Sequence, residues 1–364
     1  MDAGFTVRGP GAESQSPRWK QLDGLRCIAM VGVLYVHYWN KTPVIENVRV
    51  ALFFVVSGFL ITAILLRARD RGLRSLVVAR NFYIRRALRL LPALMIALGV
   101  AACFNMADIR ASLPFHLLQM TDIYISLTAE PGQWKPWIVT HLWSLNVLER
   151  FYLLWPVVVL LLPMPAVVTV TVIAAILPPL VRMNLDALGL REMFYVTFSW
   201  GPIAWGALLA LLVRRAPQTA TRTLTGPMPL LLALATLVLP WFVEQRIGVN
   251  EAYRLASNLA LCLLVLGACK GYPGAAGRLL SSRAATWISS ISYATYVYHM
   301  PIWWLAGAVW PQLYPPGPVP FLLLTPLCLT AATLTRVLVE LPLERLRLRF
   351  PTAPAVTLGP KSVA

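Results

Sequence analysis

The chain has 364 residues, of which 58% are hydrophobic and only 13% are charged, and it carries a formal net charge of +17. Soluble domains contain about 25% charged residues, so this composition excludes an ordinary soluble protein and predicts a multi-pass helical membrane protein. The length leaves no room for a large additional soluble domain. The five cysteines are scattered singly, without a CxxC motif or a His/Cys cluster, so neither a metal site nor a disulfide framework is predicted.

The N-terminal stretch is polar and contains Pro, Gly and Ser, and no apolar segment of the signal-peptide kind precedes Leu22. We therefore predict a disordered cytoplasmic tail over residues 1–20 and one membrane domain over residues 21–345. A second cytoplasmic tail is expected over residues 346–364. The stretch ELPLERLRLRF at this boundary is basic and amphipathic, which is typical of a membrane-surface anchor.

Ten apolar stretches follow one another along the chain and predict an all-α polytopic membrane bundle of about ten transmembrane helices, with both termini in the cytoplasm. The predicted spans are 22–40, 47–66, 88–107, 143–162, 164–181, 193–213, 228–243, 254–270, 287–310 and 320–340. Most Lys and Arg residues outside the spans then lie on the cytoplasmic side, as the positive-inside rule requires. Arg49 is one of the few assigned to the outer side. The lipid bilayer thus explains the positive charge, and no nucleic-acid partner is expected.

The first span, LDGLRCIAMVGVLYVHYWN, contains three ionisable residues: Asp23, Arg26 and His37. Eleven residues make roughly three helical turns, so Arg26 and His37 share one face and lie roughly 16 Å apart along the axis. Ionisable groups at membrane depth are costly and usually face the protein interior or a water-filled path. The pattern indicates either a catalytic or proton-handling column, or an interfacial Arg anchor with a His near the far end.

The second span contains the pair Ser57-Gly58 within RVALFFVVSGFLIT. Small residues let helices approach closely, and a Ser hydroxyl can bond across helices, so close packing is the favoured interpretation and a functional role the alternative. The strongly basic stretch from Arg67 to Leu94 follows. It is typical of an anchor on anionic lipid, but the spacing of Arg86 and Arg89 could also form a fork for phosphate groups.

The outer connection 108–142 contains Trp134 and Trp137, which indicate either an interfacial aromatic belt or a platform for stacking sugars. In the fourth span, HLWSLNVLERFYLLWPVV, Glu149 and Arg150 are either a functional acid–base pair or members of structural ion pairs with other helices. In the ninth span, His299 lies near the middle, so we expect its side chain to face the bundle interior.

Five segments in this order resemble the acyltransferase-3 family of bacterial membrane O-acyltransferases. They are LDGLRCIAMVGVLYVH, FFVVSGFLIT, NFYIRRALRLLP, WSLNVLERFYLLWP and SYATYVYHMPI, and the resemblance covers about residues 20–345. The ten-span prediction agrees with the membrane domain of that family. A periplasmic hydrolase-like domain, which is fused to some members, is not expected in this chain.

The resemblance implies transfer of an acyl group, usually acetyl from acetyl-CoA on the cytoplasmic side, to a hydroxyl of an envelope carbohydrate or related acceptor, in the bacterial inner membrane. It implies a general base at His37, since neutral imidazole can take the proton of an attacking alcohol. No metal is expected. The candidate residues are His37, Arg26, Asp23 and Glu149 for catalysis, Arg85, Arg86 and Arg89 for CoA binding, and Ser57, Trp143, Tyr152 and His299 for substrate binding.

The fourth motif departs from the family pattern, which commonly reads WSLxxE followed by another acidic residue. This chain has Leu148 at the first acidic position and Glu149 at the next. A shift of one residue moves a side chain about 100° around a helix. Glu149 therefore has a shifted role, or the carboxylate is dispensable, or the activity is altered.

Two other functions fit the same charged column. A proton-coupled transporter or flippase of an envelope precursor predicts paired broken helices or internal repeats, and the sequence contains neither. A catalytically inactive relative, which Leu148 suggests, predicts CoA binding without turnover. The acceptor, the acyl chain length and the choice between direct transfer and an acyl-enzyme relay stay open.

Overall fold

The computed structural model describes residues 19–129, 135–191, 194, 196–215, 223–247, 250–347 and 349–350, with the backbone alone for 239–247. Nearly all of both predicted tails lies outside these residues, and so does Trp134. Within them the chain is helical and has no strand.

The helices follow one another with short connections. They are α1 (Lys20–Tyr38), α2 (Pro43–Asp70), α3 (Ser75–Cys103), α4 (Leu113–Leu117), α5 (Thr121–Thr128), α6 (Leu142–Leu161), α7 (Met164–Arg182), α8 (Gly201–Arg215), α9 (Pro227–Ile247), α10 (Glu251–Lys270), α11 (Gly274–Leu280), α12 (Arg283–Val309), α13 (Pro318–Thr335) and α14 (Leu341–Arg347). Turns of 3₁₀ helix cover Met106–Ala111 and Pro311–Leu313, and a π-helical turn, Arg336–Glu340, joins α13 to α14.

Six helical segments among the described residues are long and apolar enough to cross a membrane: α2, α3, α6, α7, α10 and the continuous run from α13 to α14. This confirms a polytopic helical membrane protein. Helices α1, α8, α9 and α12 occupy the other four predicted spans, while the count of ten crossings and the cytoplasmic termini stay predictions.

The sixth predicted span begins later in the structure than the sequence predicts. It was expected to begin at residue 193, but α8 begins at Gly201 and has 15 residues. Pro202 stands in the first turn of α8, where a missing backbone N–H costs nothing and the fixed φ favours a helix start. The apolar residues before it, at 196–198, form a turn instead.

A close helix crossing joins α2 to α8 through two glycines. A Cβ atom at Gly58 would overlap the main-chain carbonyl oxygen of Ile203, and one at Gly206 would overlap that of Val55. The two backbones therefore touch directly, as small residues allow in membrane helices. Close packing is thus the observed role of Gly58, and the contact holds α2 in the middle of the bundle.

A buried ion pair ties the connection before α6 to α6 itself. Both terminal nitrogens of Arg150 donate to the carboxylate of Asp122, which has no solvent exposure, and Thr197 Oγ1 donates to the same carboxylate at 3.2 Å. Of the two interpretations of Arg150, the structural ion pair with another helix is the one observed. Glu149, one residue earlier, points elsewhere.

Other arginines are also fully engaged in structural contacts. Arg182 at the end of α7 makes a two-pronged contact with Glu251 on α10, with nitrogen–oxygen distances of 3.0 and 2.6 Å. Arg69 near the end of α2 donates to the carbonyl oxygens of Val159 and Leu162 at 2.7 and 2.6 Å. These carbonyls belong to the last turn of α6, where main-chain acceptors lack helical partners, so Arg69 caps that helix.

His116 organises the connection between α3 and α6. Its Nε2 lies 2.9 Å from Ser112 Oγ and its Nδ1 lies 2.9 Å from Thr121 Oγ1, and the side chain is 1% exposed. Burial lowers the pKa of His116 to about 4, because the charged imidazolium would lose its hydration there. The residue is thus held as a neutral structural histidine.

Candidate active site: two chambers inside the bundle

Two cavities meet inside the bundle, between α1, α2, α6 and α12. The larger, which we call the histidine chamber, has a volume of about 630 Å³ and includes His37 and His141 in its wall. The smaller, the arginine chamber, has a volume of about 70 Å³ and includes Arg26, Arg86 and Arg89. The spacing in α1 thus directs Arg26 into one chamber and His37 into the other.

Four residues line both chambers and form the wall between them: Arg49, Val50, Phe54 and Tyr296. Three come from the first half of α2 and one from α12. Any molecule that extended from one chamber into the other would pass these side chains. The sequence pattern predicted a column of functional residues along α1. In the structure, most of the wall between the two chambers belongs to α2.

A chain of hydrogen bonds fixes the protonation of His37. His299 Nδ1 lies 2.6 Å from the carbonyl oxygen of Tyr296, which can only accept, so this nitrogen carries the proton. In the neutral ring His299 Nε2 is then an acceptor, and it lies 2.7 Å from His37 Nδ1, which must donate. His37 Nε2 is left with a free lone pair.

The lone pair of His37 Nε2 accepts a hydrogen bond from Arg49 Nη2 at 3.2 Å. Chemically, His37 is therefore arranged as a base whose other ring nitrogen is held by a fully buried partner. This is the arrangement that orients the catalytic histidine in nucleophilic triads, here with His299 in the orienting position. His141 packs edge-on against His299, with ring centroids 4.6 Å apart.

Arg49 is the residue of this wall that the sequence interpretation missed, because it was assigned to the outer side. Its side chain is 5% exposed, and Glu46 Oε1 lies 3.8 Å from its Nη2. Its Nε and Nη1 atoms are buried with no well-formed hydrogen bond to the described residues, and the nearby Tyr296 hydroxyl makes only a weak hydrogen bond and an electrostatic contact with the guanidinium. Its position inside an apolar helical run was the available signal.

Aromatic and polar side chains share the wall of the histidine chamber. Trp137, Trp143 and Trp303 belong to it, and Trp143 contacts Phe54 edge-on at 6.4 Å between ring centroids. Lys41, Glu46, Asn47, Asn258 and Arg254 supply the polar part. Flat indole faces beside hydrogen-bonding groups suit a sugar, which has both apolar and hydroxyl surfaces.

The arginine chamber combines four cations, Arg26, Arg49, Arg86 and Arg89, with one carboxylate among its described lining residues, Glu149. The Arg86 guanidinium lies 4.1 Å from the centre of the Tyr152 ring, a cation–π contact. Leu148 lines the chamber together with Glu149. The position at which the family motif carries its first acid therefore faces the chamber here, but with an apolar side chain.

The remaining predicted site residues occupy different places. Ser57 and Tyr152 line the arginine chamber, whereas Asp23 is not in either wall and accepts a hydrogen bond from Ser289 Oγ at 3.0 Å. The charge of Asp23 acts on Arg26. Arg85 is also outside both chambers, since its Nη1 lies 3.4 Å from two carbonyl oxygens near the end of α14.

His299 was predicted to bind substrate and to face the bundle interior. The structure buries it completely behind His37, and it lines neither chamber. Its partner Tyr38 donates from its hydroxyl to the His299 carbonyl oxygen at 2.7 Å. Within the part of the chain that the structure describes, no group of three or more His, Cys, Asp or Glu residues could hold a metal ion.

Comparison with known proteins gives one family and a set of bacterial relatives. The family profile described as an acyltransferase domain matches residues 19–337. The Bacillus subtilis (strain 168) protein named "Putative peptidoglycan O-acetyltransferase YrhL" is 28% identical over 308 residues, which cover 77% of this chain and 48% of the relative. The "Peptidoglycan O-acetyltransferase OatA" of Listeria monocytogenes is 33% identical over 149 residues, 37% of this chain and 23% of the relative.

The chain thus spans about half or less of the length of the curated relatives that it matches. No solved structure gives a significant match to it.

Proposed function

Because the chain belongs to the acyltransferase family whose profile covers residues 19–337, we propose that it is a membrane O-acyltransferase of the bacterial inner membrane. The proposed donor is acyl-CoA, with acetyl-CoA as the first candidate, bound from the cytoplasmic side. The proposed acceptor is a hydroxyl of a cell-envelope carbohydrate. The names of the relatives make a peptidoglycan sugar the first acceptor to test.

The observation that carries this proposal is the orientation of His37, whose Nε2 is held as an acceptor in the wall of the histidine chamber and has only the 3.2 Å contact from Arg49 Nη2 to exchange for a substrate hydroxyl. His299 orients the ring from behind, at 2.7 Å from Nδ1. A base held in this way is what an attacking hydroxyl needs, and positioned general bases contribute about 10²–10⁴-fold to such reactions.

The proposed reaction is direct transfer. The acceptor hydroxyl gives its proton to His37 Nε2 while its oxygen forms a bond to the thioester carbonyl carbon. The carbonyl electrons move to the oxygen, and their return breaks the carbon–sulfur bond. CoA leaves as the thiol after the proton passes from His37 to sulfur, so the products are the ester and free CoA.

The arginine chamber supports binding of the donor. Its volume of about 70 Å³ admits only a small group, so the proposal places the acyl-thioester end of the donor there. Arg86 and Arg89 lie near the middle of α3 and line this chamber. Their guanidinium groups would bind the phosphates of CoA, which they recognise through paired, charge-assisted hydrogen bonds.

The test follows free CoA released from acetyl-CoA by the full chain in lipid nanodiscs. Muramidase-released peptidoglycan fragments, chitooligosaccharides and a crude envelope glycan extract serve as acceptors. We expect one of them to stimulate release, and His37→Ala to abolish it. His116→Asn is the matched control, because His116 is also a buried, hydrogen-bonded histidine but lies outside both chambers.

Unchanged release in His37→Ala, with a retained melting temperature, would contradict the assignment of the base. If the wild type released no CoA with any acceptor but proteoliposomes took up an envelope precursor, the transporter function would replace this proposal. Binding of acetyl-CoA without release would favour the inactive relative.

A further inference from the structure

We propose that Arg49 is a catalytic residue whose guanidinium stabilises the negative oxygen formed when the acceptor attacks the thioester. The inference rests on the proposed function and deepens it, because it assigns the second half of the reaction chemistry. His37 handles the proton, and Arg49 handles the charge that develops on the carbonyl oxygen.

Arg49 is a buried cation whose N–H donors are not all hydrogen-bonded. Arg49 is 5% exposed, yet its Nε and Nη1 atoms have no well-formed hydrogen bond to the described residues. Burying a charged group without partners costs several kcal/mol, and Glu46 at 3.8 Å compensates only in part. A cation left in this condition is prepared for an anion that arrives only with the reaction.

Arg49 also lies at the place where the proposed donor and acceptor would meet. Arg49 lies in the wall shared by the two chambers, and its Nη2 is 3.2 Å from the nitrogen of His37 that would take the proton. The thioester carbon must come within bonding distance of the hydroxyl oxygen held by that nitrogen. The carbonyl oxygen is then also near Arg49, within the distance of about 3 Å at which a donor stabilises an oxyanion.

Binding of the acceptor would also change the hydrogen-bond partner of Arg49. In the resting structure Arg49 Nη2 occupies the lone pair of His37 Nε2. An acceptor hydroxyl that donates to Nε2 takes that place and releases Nη2. The step that engages the base thus frees a further N–H of the same guanidinium for the oxygen of the tetrahedral intermediate.

Electron and charge balance are consistent with this role. As the carbon–oxygen bond forms, the proton goes to His37 and the carbonyl π electrons become a negative charge on oxygen. That charge then lies between the imidazolium of His37 and the guanidinium of Arg49. When the carbon–sulfur bond breaks, the charge leaves with sulfur, which takes the proton from His37, and Arg49 returns to its resting partner.

The test compares Arg49→Gln and Arg49→Lys with the wild type in acetyl-CoA turnover, with the most stimulating of the three acceptors named above. Loss of one oxyanion donor lowers kcat by about 10²–10³-fold in known cases. We expect a fall of this size in Arg49→Gln, with KM for acetyl-CoA and for the acceptor changed less than about threefold. Arg49→Lys should keep part of the activity, since one charged donor remains.

The matched control is Arg69→Gln, which removes an arginine from the other end of the same helix. Arg69 has its partners on α6 and lies outside both chambers. We expect a lower melting temperature with kcat within about twofold of the wild type. A second readout is Arg49→Ala with added millimolar guanidinium, which should restore turnover saturably in this variant and leave the near-wild-type turnover of Arg69→Ala unchanged.

The outcomes separate this inference from the proposed function. Wild-type turnover with full kcat in Arg49→Gln would overturn the role of Arg49 and leave the acyltransferase intact. A raised acceptor KM at unchanged kcat would also overturn it, since Arg49 would then bind ground-state acceptor. No wild-type turnover with any of the acceptors would overturn both.

Discussion

Arg150 and Arg49 are both arginines within the membrane bundle, and they differ in how completely the fold satisfies them. Arg150 meets the Asp122 carboxylate with two nitrogens. Among the described residues, Arg49 makes a hydrogen bond to His37 and a weaker contact with Tyr296, and its Nε and Nη1 have no well-formed hydrogen bond there. Charged residues inside this bundle therefore have two roles: some hold helices together, and others are left available for a ligand. The hydrogen bonds around each residue distinguish the two roles, whereas its position in the sequence does not.

The same contrast separates whole regions. The region around α5, α7 and α10, which we call the rim, contains ion pairs in which both partners are satisfied, such as Arg182 with Glu251. These closed pairs hold helices together. The arginine chamber contains Arg26, Arg86 and Arg89 with one carboxylate in its described wall. Like charges in a small space repel, so an anionic ligand would relieve what the protein leaves uncompensated.

The largest effect on stability is expected where a closed pair is opened. Asp122→Asn removes the charge that faces Arg150 and keeps the shape of the side chain. Breaking a buried pair costs about 3–5 kcal/mol, and the 34% exposure of Arg150 lowers the expectation to about 2–3 kcal/mol. Denaturant unfolding in detergent micelles would measure it, and kcat per folded molecule should stay within about twofold.

If Asp122→Asn lost less stability than this and also lost kcat, the pair of Asp122 and Arg150 would serve the reaction. The contrast with Arg49 would then be wrong. Asn184→Ala provides a reference for a polar substitution at an exposed position of the same region, because the side-chain amide of Asn184, just after the end of α7, donates to the Leu180 carbonyl in the last turn of that helix.

An effect on donor affinity is expected where the cations are open. Arg86→Gln and Arg89→Gln should each raise KM for acetyl-CoA by about 10-fold or more, since a hydrogen bond to a charged group contributes about 1.5–3 kcal/mol. The melting temperature should hold or rise, because a repelling charge is removed. Arg85→Gln is the matched control, since Arg85 contacts main-chain carbonyls outside the chamber.

Equal KM values for acetyl-CoA in Arg85→Gln and Arg86→Gln would show that an arginine in the chamber wall contributes no more to donor binding than its neighbour outside the chamber. The proposed route of the donor would then be wrong, whatever the acceptor.

At neutral pH the smallest effect is expected at His116, which acts through the pH dependence of stability. Burial lowers its pKa to about 4 from an ordinary 6.5, so the unfolded chain binds the proton first as the pH falls. The stability contributed by the neutral ring is complete above about pH 6.5. It is lost toward pH 4, by at most about 1.4 kcal/mol per pH unit.

His116→Asn should therefore flatten the fall in melting temperature between pH 7 and 4.5. Parallel curves for the wild type and this variant would show that His116 does not contribute to acid sensitivity.

Local sequence was informative wherever periodicity decides the outcome. The eleven-residue spacing of Arg26 and His37 predicted one interior face of α1, and both side chains do enter connected chambers. The length and apolarity of the stretches predicted a helical membrane bundle, and six helices meet those criteria. These features depend on neighbours three or four residues away, which the sequence displays directly.

Partners distant in the chain were not predictable in the same way. Arg150 was read beside its neighbour Glu149, but its partner Asp122 is 28 residues earlier, on a short helix of the outer connection. The partner of His37 is His299, 262 residues later. Arg49 was assigned to the outer side by charge counting, because nothing in one sequence shows that α1 packs against the first turns of α2, with Gly32 next to Arg49.

The hydrogen bonds behind His37 end at the main-chain carbonyl of Tyr296, which accepts a hydrogen bond but cannot pass a proton onward. With His37 as the base, a proton taken from the acceptor has one exit, back through Nε2 to the departing sulfur. The reaction would then be electroneutral, with no charge carried across the bilayer. Membrane potential would neither drive it nor slow it, so an envelope glycan could be modified at the same rate in energised and de-energised cells.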